Sequence, residues 1–165
     1  MYVIQADDCL KRLVVYYSRT GNTKFVAEKI AKNLNADLCE ILDKKNRKGK
    51  LAFLTGGYAA LREKLTAIEV PKSIDDYEFI IIGSPIWAGK ITPAIRTFVS
   101  KNNFSKKKLA LFITLAGNKT GKSLSNFKKA IEPHIPIAEF AITDNLKNHE
   151  DAEEKIKYWC NELLE

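Results

Sequence analysis

Apolar residues along the chain follow two patterns that take turns. "KRLVVYYS" is a short β-branched and aromatic run that stops at a polar turn, and it reads as a first strand. Behind it Val26, Ala27, Ile30, Ala31 and Leu34 recur at helical spacing and form one apolar stripe. "ADLCEIL" alternates apolar and polar residues, as a half-exposed strand does. "GKLAFLTGGYAALREKLTAI" is helical in parts, and the adjacent Gly56 and Gly57 are expected to break or bend it. "YEFIIIGS" is apolar throughout, the mark of a strand buried on both faces of a parallel sheet. "TPAIRTFVSKN" opens a helix with Pro93 near its first position, where a missing N–H costs nothing. "KKLALFITLA" gives the next buried strand, "SLSNFKKAIE" a helix and "PIAEFAITD" a fifth strand. "HEDAEEKIKYWCNELLE" closes the chain as an amphipathic helix, with an acidic first turn suited to the positive end of the helix dipole.

Five strands alternating with five helices predict an α/β fold, an open doubly wound parallel sheet with helices on both faces. The expectation is one domain over residues 1–165, with residues 1–10 ("MYVIQADDCL") an N-terminal extension of unassigned role. Ligands of such sheets bind outside the carboxyl ends of the strands, at the switch point. The loops after the first, third and fourth strands therefore carry the functional reading.

Composition narrows the classes. Apolar residues make up 45% of the 165 and charged residues 28%, ordinary values for a globular domain. The longest apolar runs are too short to span a membrane, and no secretory leader pattern opens the chain, so a cytoplasmic protein is expected. Cys9, Cys39 and Cys160 are odd in number and widely spaced, which fits free thiols in a reducing compartment and not a disulfide framework or zinc site. The formal charge of +7 attracts anions. Its lysines are scattered or clustered at connections without interleaved aromatics, so no nucleic-acid partner is expected. His134 and His149 read as surface or capping residues, and no metal site is expected.

Two loops compete for a phosphate. Ala116, Gly121, Lys122 and Ser123 fit the loose pattern [AG]-x-x-x-x-G-K-[ST] between a strand and a helix. However, that loop follows the fourth strand rather than the first and lacks the first glycine. The better site is "YYSRTGNTKF". There Ser18, Thr20 and Thr23 offer hydroxyls, Gly21 permits a tight turn, Arg19 could add a charge, and the loop enters the N-terminus of the first helix. Unpaired N–H groups and the helix dipole favour an anion at such a place.

"S-x-T-G-N-T" after a first strand resembles the FMN phosphate-binding loop of flavodoxins. The likeness extends to "DDYEFIIIGSPIWAGKITPAIRTFV", which is similar to the third strand, flavin-flanking loop and next helix of that family, and more loosely to "FITLAGNKTG". It covers the chain from about Lys11 to the C-terminus. The resemblance implies a short-chain flavodoxin-like fold with parallel-strand order 2-1-3-4-5 and FMN as cofactor. Ser18, Arg19, Thr20, Gly21, Asn22 and Thr23 would surround the phosphate. Pro85, Ile86, Trp87 and Gly89 would flank the ring, and Gly117, Asn118 and Lys119 would line its pyrimidine side. It also implies electron transfer to or from a partner protein, here one with an acidic docking surface because of the +7 charge. The alternative is an NAD(P)H-dependent quinone reductase, and a more distant one a binding module of this fold without flavin. No carboxylate stands in "YYSRT" or "IIGSP", so a phospho-acceptor domain is excluded.

Three departures bear on chemistry. Flavodoxins are typically acidic, this chain is basic, and "AGNKTGKSL" lacks the second aromatic that the family often supplies after the fourth strand. Lys90, Lys119 and Lys122, if near the ring, would stabilise reduced anionic flavin and make the midpoint potential less negative than is usual for the family.

Overall fold

A computed structural model describes residues 10–45, 50–117, 119–143 and 149–165. Cys9 with the rest of residues 1–9, and Asn118, lie outside the described residues. The elements run β1 (Arg12–Tyr16), α1 (Asn22–Leu34), β2 (Asp37–Glu40), β3 (Leu42–Asp43), α2 (Lys50–Leu61), β4 (Ile68–Glu69), β5 (Phe79–Trp87), β6 (Lys90–Ile91), α3 (Pro93–Lys101), β7 (Lys108–Leu115), α4 (Thr120–Ile131), β8 (Ala138–Thr143) and α5 (His149–Glu162).

The main sheet has the order β2-β1-β5-β7-β8, every neighbouring pair parallel. Counted over these parallel strands, that is the expected 2-1-3-4-5. The uninterrupted apolar runs follow from burial on both faces. Val14, Tyr16, Ile81, Ala110 and Phe112 pack on Val26 and Ile30 of α1 and on Ile156 and Trp159 of α5. The alternate residues Leu13, Val15, Ile80, Ile82 and Leu111 pack with Ile95 and Phe98 of α3 and Phe127 of α4. In β5, Gly83 is required by its neighbour, because a Cβ there would overlap the ring of Phe112.

Three local expectations are corrected. The helix around Gly56 and Gly57 is not broken, and α2 runs through both. Each glycine lowers helix stability by roughly 1 kcal/mol relative to alanine, but α2 packs against β5, β6 and α3, and tertiary contact overrides that preference. "ADLCEIL" does not form one strand. It pairs with β1 as far as Glu40, and then Leu42 and Asp43 turn away to form a separate antiparallel pair with Ile68 and Glu69. Finally, "GSPIWAG" is not a loop. β5 continues through Trp87 and folds back as β6, with Trp87 opposite Lys90. Ala88 and Gly89, at φ 49° and 78°, make a two-residue turn of positive φ, whose twist matches the right-handed twist of hairpin strands. Gly89 is thus fixed by a turn, and the flank it belongs to is a hairpin.

Candidate functional site

The switch point lies between β1 and β5, and the chain leaves the carboxyl ends of β1, β5 and β7 around one pocket of about 700 Å³. From β1, the loop at Ser18–Gly21 enters α1. Gly21 is the N-cap at φ 95°, a conformation open to glycine, and it uses no side-chain cap. Its own N–H donates to Ser18 Oγ at 3.2 Å, which tightens the turn. The first turn of α1 contains no acidic residue, so no carboxylate of its own competes for the positive end of the dipole, which favours an anion. Arg19, Thr20, Asn22 and Thr23 all border the pocket.

Thr23 is buried and shares a 2.8 Å hydrogen bond with the buried Thr114 hydroxyl at the end of β7. That bond ties the first loop to the fourth parallel strand. Thr114 itself borders the pocket, and nothing in its sequence context marks it.

From β5, Pro85, Ile86 and Trp87 form the floor. Buried Ser84 holds the hairpin in place: its hydroxyl donates to the Pro85 carbonyl at 2.8 Å and accepts the Thr92 N–H at 3.2 Å. Trp87 is fixed from several sides. Tyr17 meets it edge-to-face at 5.8 Å, the Arg19 guanidinium lies 5.9 Å from its ring centroid, and the Gly56 backbone packs on its six-membered ring. A Cβ on Gly56 would come within 2.9 Å of Trp87 Cζ3, which explains one of the two helix glycines.

The third wall is one that sequence reasoning missed. Leu54, Tyr58 and Leu61 of α2 border the pocket and are 67%, 52% and 54% exposed. Their i, i+4, i+7 spacing was the available signal. Tyr58 brings an aromatic to the pocket from α2, where the loop after the fourth parallel strand has none. The outer end of α2 is anchored by Glu63, which accepts from Lys90 Nζ at 2.7 Å and pairs with Arg96 at 3.5 Å. The hydrogen bond from Lys90, then the charge of Arg96, lower the Glu63 pKa.

Of the expected site residues, Ser18, Gly21 and Gly89 shape the loops without bordering the pocket, and Gly117 adopts φ 85° beside pocket-lining Ala116. Asn118 lies outside the described residues. The three lysines expected near the ring do not border the pocket. Lys90 is engaged by Glu63 and by Asn126 Oδ1, while Lys119 and Lys122 are exposed at the start of α4. Among the described residues, Arg19 is the cation that does border it. In the competing phosphate pattern, Gly121 lies within α4, and the buried Ser123 hydroxyl donates to the Lys119 carbonyl at 3.0 Å. His134 is half-buried edge-on against Phe104 rather than a surface residue, and His149 packs on Phe25.

The pocket is amphipathic. Hydroxyls and helix N–H groups lie at one end, a guanidinium beside them, and indole, phenol and aliphatic carbons along the rest. That donor set fits a ligand with a phosphate at one end and a flat apolar body at the other. Among the described residues, its lining holds no carboxylate and no imidazole.

Comparison with known proteins gives the following. A family model described as Flavodoxin matches residues 11–163. A flavoprotein from Lactobacillus acidophilus NCFM, solved in complex with FMN, is 25% identical with a TM-score of 0.72, over 86% of this chain and 99% of that one. Oxidised flavodoxin 2 from Bacillus cereus shares the fold at 17% identity and a TM-score of 0.56, over 91% of this chain and 94% of that one. An NAD(P)H dehydrogenase (quinone) from Archaeoglobus fulgidus is 30% identical over 92 residues, 53% of this chain. The match spans about half of that relative's length, 48%.

Proposed function

The chain belongs to the flavodoxin family, and from that premise we propose that it is an FMN-dependent reductase passing electrons from NAD(P)H to a small planar acceptor of the quinone class. The observation that carries this reading is the α2 wall. Half-exposed Leu54, Tyr58 and Leu61 extend an apolar pocket beyond what a phosphate loop and one indole require. An acceptor ring can lie against that wall, a place that a shuttle docking on a protein does not use. The FMN-bound structural relative and the quinone dehydrogenase among the sequence relatives support the same reading.

In this proposal the α1 N-terminus and the Ser18–Thr23 loop bind the phosphate, with Thr20 donating its hydroxyl and Thr23 held in place by Thr114. Trp87, Pro85 and Ile86 flank the ring, and Gly117 lies towards its polar edge. When bound, FMN supplies the two-electron chemistry, and the protein supplies position and surroundings. The α2 wall supplies apolar surface at the other end of the pocket. The overall reaction is NAD(P)H + H⁺ + quinone → NAD(P)⁺ + quinol, and with no acid among the described lining residues the proton comes from solvent. Arg19, rather than the lysines, raises the affinity for reduced anionic flavin and sets a potential less negative than is usual for the family. NAD(P)H as donor and the free thiols of Cys39 and Cys160 both fit a cytoplasmic setting.

The formal charge of +7 favours a second reading, a shuttle docking on an acidic partner protein. Steady-state oxidation of NADPH by the FMN-loaded protein, with and without menadione, separates the two. Menadione-dependent turnover is expected, and its absence alongside normal FMN binding would favour the shuttle.

A further inference from the structure

Gly56 and Gly57 stand side by side in α2, where each weakens the helix relative to alanine. Packing explains the first, because a Cβ on Gly56 would run into the Trp87 indole at 2.9 Å. It does not explain the second. A Cβ on Gly57 would meet nothing within 4 Å, and its backbone is ordinary helix that any residue adopts. Gly57 also borders the pocket, on the same helical face as Leu54, Tyr58 and Leu61. An alanine would fit the fold and strengthen the helix, so what the glycine provides is space inside the pocket. The side chains around that space are apolar and half or more exposed, which is surface arranged for a ligand and not for the core.

We infer that Gly57 is the specificity-determining residue of an acceptor subsite: a planar apolar ring of the quinone class lies on the α2 wall, its edge over Gly57 and its faces between Leu54, Tyr58, Leu61 and the flavin side of the pocket. The inference rests on the reductase reading above and names where that reaction's second substrate sits. It also limits the substrate class. A flat ring passes over a glycine, whereas a bulky acceptor does not fit against this wall.

The test compares wild-type protein with Gly57→Ala and Gly57→Leu, through the thermal midpoint of the apoprotein, FMN affinity by quenching of flavin fluorescence, and NADPH-driven reduction of menadione and of ferricyanide. Gly57→Ala is expected to raise the apoprotein midpoint, as a helix interior relieved of glycine should. Gly57→Leu is expected to leave FMN affinity within about twofold and to raise the menadione KM by about tenfold, a factor within the range that overpacking is worth, while the ferricyanide rate changes far less. Menadione kinetics that do not move would overturn the subsite. So would an FMN affinity that falls in step with them, because α2 would then be holding the flavin itself. Should the FMN-loaded protein not oxidise NADPH, the reductase reading fails separately, and the subsite is judged on photoreduced protein reoxidised by menadione or ferricyanide. There, selective slowing of menadione in Gly57→Leu supports the subsite, and equal rates overturn it.

Discussion

At the scale of single residues, the site depends on hydroxyls whose surroundings differ sharply. Thr20 is exposed at the mouth of the pocket, so its hydroxyl is available to a ligand. Replacing Thr20 with Val removes one hydrogen bond to a charged group, worth roughly 1.5–3 kcal/mol, and should weaken FMN binding about tenfold or more in a fluorescence titration. Thr23 serves structure as well, through its bond to Thr114. Thr114→Val would leave Thr23 without its buried partner and should lower stability by about 1–3 kcal/mol, read from urea unfolding at unchanged slope. The Ser18–Thr23 loop and Trp87 are legible in the sequence because the features that mark them are local. Thr114, Ser84 and Tyr58 are not, because their meaning comes from residues far away in the chain.

At the scale of elements, the same contrast explains which strands and helices can be read. β5 and β7 announce themselves because burial on both faces demands continuous apolar side chains, and α1 because its stripe has one face. α2 reads as broken in the sequence and is continuous in the fold. Glycine preference is a local quantity of about 1 kcal/mol per residue, and it cannot register an indole packed on Gly56 or an open pocket at Gly57. The β5–β6 hairpin is hidden for a related reason: its turn uses Ala88 at φ 49°, a conformation the sequence does not advertise. Gly83 tests the packing between β5 and β7. An added methyl there would overlap the Phe112 ring, so Gly83→Ala overpacks the core and should cost about 1–3 kcal/mol or more in chemical denaturation.

At the scale of the whole molecule, charge sets how stability follows pH. Asp37 at the start of β2 accepts from the Tyr77 hydroxyl at 2.5 Å and pairs with Lys72 at 3.3 Å. The Tyr77 bond first, and Lys72 next, lower the Asp37 pKa, as Lys90 and Arg96 lower that of Glu63. A lowered carboxylate pKa stabilises the fold above its ordinary value, and that stabilisation is lost as pH falls through the lowered one. Tyr77 is shifted the other way, from 10.0 to about 12, by its bond to Asp37 and then by desolvation. Its contribution is complete below pH 10.0 and disappears as pH rises towards about 12. The urea midpoint should therefore be level around neutrality and fall on both sides. Tyr77→Phe should flatten part of the alkaline fall, leaving the share due to buried Tyr16, whose pKa is also raised by burial and by Glu40, and to the thiols of Cys39 and Cys160, which burial pushes up. An alkaline limb unchanged by Tyr77→Phe would contradict this assignment.

All of these scales meet in the pocket between β1, β5 and β7. Titration of the purified apoprotein with FMN, followed by flavin fluorescence, tests the FMN site most directly. Quenching that saturates at micromolar FMN or below, with weaker binding in Thr20→Val, is expected. Flavin fluorescence that stays unquenched across that range would contradict an FMN site there.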